Sequence, residues 1–406
     1  MSENKHTMSE LYQWQSLPLS VKVSMTKQRI RDWVNYYGEE GVYISFSGGK
    51  DSTVLLDIAR TMYPNLKAMF VDTGLEYAEI RKFVKIHGNV DIIRPKMAFK
   101  QVCEKYGLPL ISKEVSECVY GARKYLTSIL EEQAHLNERT NERSTLIGSS
   151  WKNSQELADI LNQRMLDRSG GSNQRLAIML GWLTKNPKHP VQKDVPSKDR
   201  SAFAQTKWKF FLDAPFEISN ICCRVMKKEP SHRYSKETGR MPITAQMATE
   251  SRLRTQKWLA NGCNGFDLKS PISNPMAFWT EQDVLLYIKT HHLPIASVYG
   301  EVVVDYESQG QLDGQMSIAD YMTASEMEEF DLDKPLLTTT GCKRTGCTLC
   351  MFGAHLEKGE GRLERLAKTH PKMLKSLDVI QNNGITYREA IDWINEHNGK
   401  GKIIRY

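Results

Sequence analysis

The chain has 406 residues, 40% of them hydrophobic and 25% charged, a balance that excludes a mainly disordered polypeptide and allows one large α/β domain or two ordinary ones. A net charge of +7 favours anionic partners such as nucleotides, sulfate esters or nucleic acid, and equally suits a mildly basic enzyme that binds no macromolecule. The polar stretch 1–19 lacks the apolar core of a signal peptide, and the most apolar short run, Leu176 to Leu183, is far too short to span a bilayer, so a soluble, cytoplasmic protein without a membrane partner is expected.

The first periodic segment, Val21 to Tyr37, has apolar residues at helical spacing and predicts a helix ahead of the sheet. Val42 to Phe46 is a short β-rich run that ends at a Gly-Gly turn, and Ser52 to Met62 predicts the next helix. Lys67 to Val71 reads as a second strand, Ile80 to Ile86 as a helix and Val90 to Ile93 as a third strand closed by Arg94-Pro95. Strands alternating with helices at this spacing predict an α/β fold with a doubly wound parallel sheet. Its strand-to-helix loops gather on one edge, where ligands bind. Residues 1–38 form an N-terminal helical segment and 39–120 the first part of the core. The stretch 121–204 reads as a mostly helical insertion, interrupted at Ser169-Gly170-Gly171 and at Asn186 to Pro190. Residues 205–300 resume the α/β pattern, with an amphipathic helix over Trp279 to His291, and 301–406 form a cysteine-bearing C-terminal segment.

The segment Ser47-Gly48-Gly49-Lys50-Asp51-Ser52 lies between the first strand and its helix. Two glycines permit positive φ and let backbone N–H groups approach an anion closely. The helix that follows points its positive end at the same place. Ser47 and Ser52 add hydroxyls and Lys50 a charge. Asp51 would by itself repel a phosphate; it fits if it holds a magnesium ion bridging phosphates, or if it caps the helix. A Gly-Gly turn with a Ser or Asp cap and no ligand uses the same residues. The Walker pattern is excluded, because its first glycine would fall on Ile44.

This loop resembles the pyrophosphate loop of the N-type ATP pyrophosphatases, the adenine nucleotide alpha-hydrolases, and of the phosphoadenylyl-sulfate (PAPS) reductases. Phe70 to Gly74, Arg94-Pro95, Gly107 to Glu114, Thr249 to Arg252 and Pro275 to Tyr299 are similar to further segments of that superfamily. The resemblance implies a nucleotide site built from Ser45, Ser47, Gly48, Gly49, Lys50, Asp51, Ser52, Asp72, Thr73, Gly74, Lys113, Arg252 and Arg254, with Lys50 and Asp51 catalytic. Asp72 at a strand end suits ribose, adenine or magnesium, and suits a plain turn or helix cap as well. Arg252, Arg254 and Lys113 suit phosphate or sulfate contacts, or are solvated charges.

Eight cysteines in a reducing compartment do not make a disulfide framework. Cys222-Cys223 and the distant Cys347-Thr348-Leu349-Cys350 resemble the adenylyl-sulfate (APS) reductase branch, in which such a set holds a [4Fe–4S] cluster. Cys342 could replace one ligand or support the cluster. Arg224, Lys227, Lys228, Lys343 and Arg344 would offset its negative charge. Cys342, Cys347, Cys350 and His355 also have the composition of a Cys3His zinc site, which leaves Cys222-Cys223 unexplained; ordinary thiols without metal are the third reading.

The sulfonucleotide reductases carry a nucleophilic cysteine in a C-terminal segment, and no cysteine follows Cys350 here. The resemblance is therefore closest in kind to the phosphorothioation and sulfurtransferase-type members. It implies an enzyme that cleaves ATP at the α-phosphate, with Mg2+, to activate an acceptor for sulfur taken from a donor protein such as a cysteine desulfurase. The basic stretch Lys185 to Lys209, with Trp208, Phe210 and Phe211 interleaved, could hold a nucleic-acid acceptor by phosphate contact and stacking, or be a solvated loop over core aromatics. A reductase of PAPS or APS using another thiol, and a non-catalytic nucleotide-binding subunit of a modification or defence complex, are the alternatives.

Overall fold

The structure, a computed structural model, describes residues 4–140, 151, 154–167, 173–186, 188–305 and 336–406. The chain divides into two compact units, one of residues 1–95 and 229–347 and the other of residues 96–228 and 348–406. The breaks read in the sequence at Ser169-Gly170-Gly171 and at Pro187 lie outside the described residues.

The first unit is built on a six-stranded sheet. Its strands are β1 (Val42–Ser45), β2 (Ala68–Val71), β3 (Val90–Ile93), β4 (Met241–Ile243), β5 (Asn264–Gly265) and β6 (Ile272–Ser273), arranged in the order β3-β2-β1-β4-β6-β5. All neighbours run parallel except the edge pair β5 and β6. Both faces of β1 are covered: Val42, Tyr43 and Ile44 are all buried. Tyr43 meets Tyr234 of the helix Glu229–Thr238 edge-on at 4.9 Å, with Met69 in the same cluster. The helix Lys50–Met62 packs against the helices Leu19–Tyr37 and Glu281–Thr290. A strand buried on both faces has no polar alternation to show, which is why Val-Tyr-Ile reads as a continuous apolar run.

Strand order turns around at β1. The chain moves outward through β2 and β3 on one side, and returns to pair β4 with β1 on the other, Val42 against Met241 and Ile44 against Ile243. The carboxyl ends of β1 and β4 therefore flank the switch point, the place in an open parallel sheet where a ligand finds a crevice. The expected segments fall close to the observed ones: β3 spans the run read from the sequence, and these three helices begin two residues before their apolar patterns. The helix over Trp279 to His291 forms as Glu281–Thr290, with Thr280 and Asp283 as its capping box.

In the second unit the helix Lys113–Thr140 packs with Asn173–Leu180, which also meets Gln155–Leu166. The helical character read for 121–204 ends at Leu180. Beyond it the chain is held by isolated bridges between Leu183 and Val191 and between Thr184 and Arg200, because Pro190, Pro196 and Gly181 interrupt any helical ladder. Trp208, Phe211 and Phe216 pack with Trp393 of the helix Tyr387–His397 in an aromatic core. The short strands Gln381–Asn382 and Ile385–Thr386 form an antiparallel hairpin just before that helix. Asn383 and Gly384 make its two-residue turn, both at positive φ.

One buried ion pair ties the first unit's helices together. Lys22 Nζ lies 2.7 Å from Asp283 Oδ1 and 2.8 Å from Oδ2, and donates to the Gln15 carbonyl at 2.5 Å. Asp283 also accepts from the Thr280 backbone N–H at 2.7 Å, so it caps the helix Glu281–Thr290 while paired. Removing one member of such a pair strands the other. Lys22→Ala is expected to lower the unfolding free energy by about 3 kcal/mol, read by urea unfolding.

Candidate nucleotide site and cysteine site

β1 delivers the chain through Ser45 and buried Phe46 into the turn Ser47-Gly48-Gly49, and the next helix starts at Lys50. The turn closes on hydroxyls. Ser47 N–H donates to Ser52 Oγ at 3.1 Å, Gly49 N–H to Ser47 Oγ at 3.3 Å, and Ser52 Oγ donates to the Gly49 carbonyl at 2.9 Å. The Lys50 N–H donates to the Tyr299 hydroxyl at 3.1 Å, which lies 2.6 Å from Thr345 Oγ1. Three backbone donors thus point at oxygens at the head of a helix, an arrangement that accepts the oxygens of an anion in the same geometry.

Gly48 is required by its backbone. Its φ is +70°, and a Cβ there would stand 2.8 Å from Val84 Cγ2 and 2.9 Å from Ile80 Cγ2. A Cβ on Gly49 would approach the Tyr299 hydroxyl to 3.2 Å and Thr345 Oγ1 to 3.4 Å, filling the space beside the loop.

That space is a hollow of ≈ 460 Å³, partly open to solvent, walled by Ser47, Gly49, Lys50, Asp51, Met247, Glu250, Glu281, Tyr299, Arg344 and Thr345. Lys50 is only 3% exposed. Its ammonium lies 3.0 Å from Glu281 Oε1 and 3.5 Å from Asp51 Oδ1, and donates to the Lys343 carbonyl at 3.2 Å. Burial works against its charge, but Asp51 and then Glu281 outweigh burial and raise its pKa. Asp51 is pushed up by burial, against the pull of Lys50 and with Glu281 adding to the rise. Asp51 Oδ1 is buried and makes no hydrogen bond. Arg344 stands 3.7 Å from Glu281 Oε2, and Arg254 pairs with Glu250. Burial lowers the Arg254 pKa, Asp51 opposes that shift and Arg344 adds to it.

The expected residues divide accordingly. Ser47, Gly49, Lys50 and Asp51 wall the hollow, Gly48 and Ser52 build the turn, Ser45 ends β1 before it, and Arg254 joins through its charge. Asp72, Thr73 and Gly74 form a second turn at the end of β2. There Asp72 pairs with Arg81 at 3.0 Å and Arg94 at 3.4 Å, and Thr73 Oγ1 donates to Glu76 at 2.6 Å. Arg252 is exposed at the start of the helix Arg252–Asn261. Lys113 belongs to the second unit, where its charge acts on Cys223.

Sequence reasoning assigned no role in the site to Glu281, Tyr299 or Thr345. The capping box Thr280-x-x-Asp283 locates Glu281 at a helix start, but only the tertiary path brings that start back to Lys50.

In the second unit Cys222 and Cys223 sit at the head of a π-helical turn, Arg224–Lys228. The Cys222 thiol beside Cys223 pushes the Cys223 pKa down, with burial opposing and Lys113, Lys227 and Lys228 assisting. The same contact, then burial, then the charges of Cys223, Cys350 and Cys103, push Cys222 up. Cys222 therefore lies within electrostatic reach of Cys223, Cys350 and Cys103. In the first unit Cys342 is buried and donates to the Tyr77 hydroxyl at 3.7 Å, and Cys347 is the last residue. His355 stands edge-on to Trp208 at 5.3 Å, with Nδ1 buried and without a hydrogen bond. Among the described residues no group of three or more His, Cys, Asp or Glu side chains is set to hold a metal ion.

Two of the interleaved aromatics are core residues and the third, Phe210, is half-buried. Trp208 and Phe211 are buried, so they are not offered for base stacking, and Lys207 lies over the Trp208 ring at 4.4 Å. No helix among the described residues is long and apolar enough to cross a membrane.

A mostly parallel α/β sheet with a glycine turn and a helix start at its switch point defines the doubly wound class. The sequence matches the model of the phosphoadenosine phosphosulfate reductase domain over residues 41–119 and 183–351, more than half of the chain, and the chain belongs to that family. Members of the family are enzymes that act on adenylyl nucleotides. An uncharacterized protein of Methanocaldococcus jannaschii is 39% identical over 70 residues, which span 16% of this chain and 17% of that relative. The crystal structure of a phosphoadenylyl-sulfate reductase from Candida auris, a phosphate complex, is similar with a TM-score of 0.31 and 13% identity, over 73% of this chain and 92% of that one.

Gly48→Ala is expected to destabilise the protein by about 1–3 kcal/mol, since it combines positive φ with overpacking against Val84 and Ile80. Gly49→Ala, at φ −77°, is expected to cost less, and urea unfolding of the two variants makes the comparison.

Proposed function

We propose that this chain binds ATP with its phosphates at the Ser47–Ser52 turn and cleaves it at the α-phosphate to activate an acceptor for sulfur transfer. The observation that carries the reading is the carboxylate set in the wall of an anion-receiving hollow. Asp51 and Glu281 flank Lys50, and the buried Oδ1 of Asp51 makes no hydrogen bond and faces the Lys50 ammonium at 3.5 Å. Carboxylates beside a phosphate loop repel the ligand unless a divalent cation stands between them, and a carboxylate oxygen held by an ion pair alone can turn to such an ion. Asp51 would hold Mg2+, which when bound neutralises charge on the phosphates and on the leaving pyrophosphate.

The residues of the chain do the rest. The N–H groups of Ser47, Gly49 and Lys50 exchange their hydroxyl partners for phosphate oxygens. Lys50, kept charged by its carboxylate neighbours, stabilises the charge that develops on the leaving group. An acceptor oxygen attacks the α-phosphorus as the bond to the pyrophosphate oxygen breaks, leaving an adenylate. A persulfide from a donor protein such as a cysteine desulfurase then displaces AMP, and a thiol reductant cleaves the S–S bond that remains. Nucleic acid is one acceptor class consistent with a net charge of +7. The resemblance makes Cys222, Cys223, Cys347 and Cys350 the candidate ligands of a [4Fe–4S] cluster, but among the described residues no group of three or more such side chains is set to hold a metal ion, so no step is assigned to it.

Anaerobically purified protein is to be incubated with Mg2+ and ATP, PAPS or APS in parallel, with pyrophosphate and sulfite both assayed. Pyrophosphate from ATP without sulfite is the expected result; sulfite from a sulfonucleotide would replace this reading with a reductase, and binding without turnover with a non-catalytic subunit. Asp51→Asn and Lys50→Ala should each lower pyrophosphate release by about 100-fold. Because burial raises the Asp51 pKa and the ionised carboxylate is the working form, turnover should fall on acidification at a higher pH than an ordinary carboxylate would give. Iron and zinc content of the same preparation decides between the cluster and a zinc site.

A further inference from the structure

We propose that Glu281 is the specificity-determining residue of the hollow. It occupies an anion position beside the phosphate turn and makes binding there conditional on a ligand that brings its own divalent cation. This role rests on the reading of the Ser47–Ser52 turn as a phosphate site and names the class of ligand that the site admits.

Two helices start at the hollow. Glu281 opens the helix Glu281–Thr290 and faces Lys50, which opens the helix Lys50–Met62. Further along, the Tyr287 hydroxyl donates to Asp57 Oδ2 at 2.7 Å. Cross-links from Lys50 to Glu281 and then from Asp57 to Tyr287 mean that the two helices run side by side in one direction, so their positive ends meet at the hollow. An anion belongs at such a place. The anion that stands there is the chain's own. Glu281 Oε1 lies 3.0 Å from the Lys50 ammonium and Oε2 lies 3.7 Å from Arg344 Nη2, so one carboxylate spans two cations as two oxygens of a phosphate would.

The backbone beneath this carboxylate is fixed, and its side chain is not. Thr280 caps the helix, and Asp283 closes the capping box while paired with buried Lys22. The Glu281 side chain is 38% exposed, so its carboxylate can turn out to water, whereas the buried Lys50 ammonium cannot follow. The charges at the hollow are balanced: Lys50, Arg254 and Arg344 stand with Asp51, Glu250 and Glu281. A bare polyphosphate or sulfonucleotide entering this balance gains little net attraction, and meets Glu281 in the position it needs. A magnesium polyphosphate brings the missing positive charge, because adjacent phosphoryl groups chelate the ion, and Glu281 then gains a cation as it gives up Lys50. A phosphosulfate carries less charge than a pyrophosphate and holds the ion more weakly, so it is not relieved in this way. Glu281 thus separates two ligand classes that share an adenylyl group, by repelling one of them.

The test is isothermal titration of the full-length protein with pyrophosphate, in EDTA and in Mg2+, for wild type, Glu281→Gln and Glu281→Asp. Glutamine keeps the shape and removes the charge; aspartate keeps the charge. Wild type is expected to bind pyrophosphate tightly only with Mg2+. Glu281→Gln is expected to bind it about tenfold more tightly in EDTA with no gain in Mg2+, so that the ratio between the two conditions falls about tenfold. Glu281→Asp should keep the wild-type ratio, and all three proteins should melt within a few degrees of one another. A Glu281→Gln ratio equal to that of wild type would overturn the proposal. Equal gains in both conditions would do the same, because they mark a general loss of negative charge. Wild type that binds equally with and without Mg2+ leaves the turn a phosphate site and overturns the role of Glu281 alone. No binding by any of the three in either condition removes the phosphate-site reading, and this role with it. Because the readout is binding, a protein that binds pyrophosphate but releases none from ATP fails the reading as a pyrophosphatase and still decides the role of Glu281.

Discussion

The pairing of β1 with β4 is the constraint on which the nucleotide site depends. It joins Val42–Ser45 to a strand that follows it by about half of the chain's length, and turns the strand order around beside the Ser47–Ser52 turn. A parallel pair cannot be closed by a tight turn, so the intervening chain must leave and return. The return brings Met247 and Glu250 to the wall of the hollow, and the segments after β6 supply Glu281, Tyr299, Arg344 and Thr345. Without that pairing the loop would be a glycine turn ahead of a helix.

Electrostatics in the hollow follows from burial. Lys50 stays charged because two carboxylates outweigh the cost of removing it from water, and Asp51 is pushed up because one lysine does not offset its own burial and the nearby Glu281. The balance suits a ligand that carries both negative charge and a counter-cation. An empty phosphate site lined by cations alone would bind any anion; one that mixes Asp51, Glu250 and Glu281 with Lys50, Arg254 and Arg344 discriminates by how charge is distributed along the ligand. The turn after β2 is a different kind of structure, since Asp72 is already committed to Arg81 and Arg94.

The second unit uses the same economy of buried polar groups. Its aromatic core of Trp208, Phe211, Phe216 and Trp393 has no polar task. Asn382 and Tyr387, which enter the interior beside the cysteines, by contrast meet backbone carbonyls and N–H groups. Buried polar atoms that meet backbone partners fix one arrangement of the chain, because any alternative leaves them without hydrogen bonds.

The sequence by itself determined the α/β class, the first three strands with their helices, and the loop Ser47 to Ser52, because these depend on local periodicity and on glycine conformation. The adjacent cysteines and the C-x-x-C spacing were legible for the same reason, and so was the capping box at Thr280. Composition was a poorer guide where burial decides. Trp208 and Phe211, spaced among lysines like a stacking surface, belong to the core, and after Leu180 the α-helices of the insertion give way to bridges and short turns, where glycine and prolines take over. What only the tertiary structure decided is which distant side chains meet. Glu281 and Tyr299 reach Lys50, and Asn382 and Tyr387 reach the backbone beside the cysteines, through strand pairing and helix packing that leave no periodic or compositional trace at those residues.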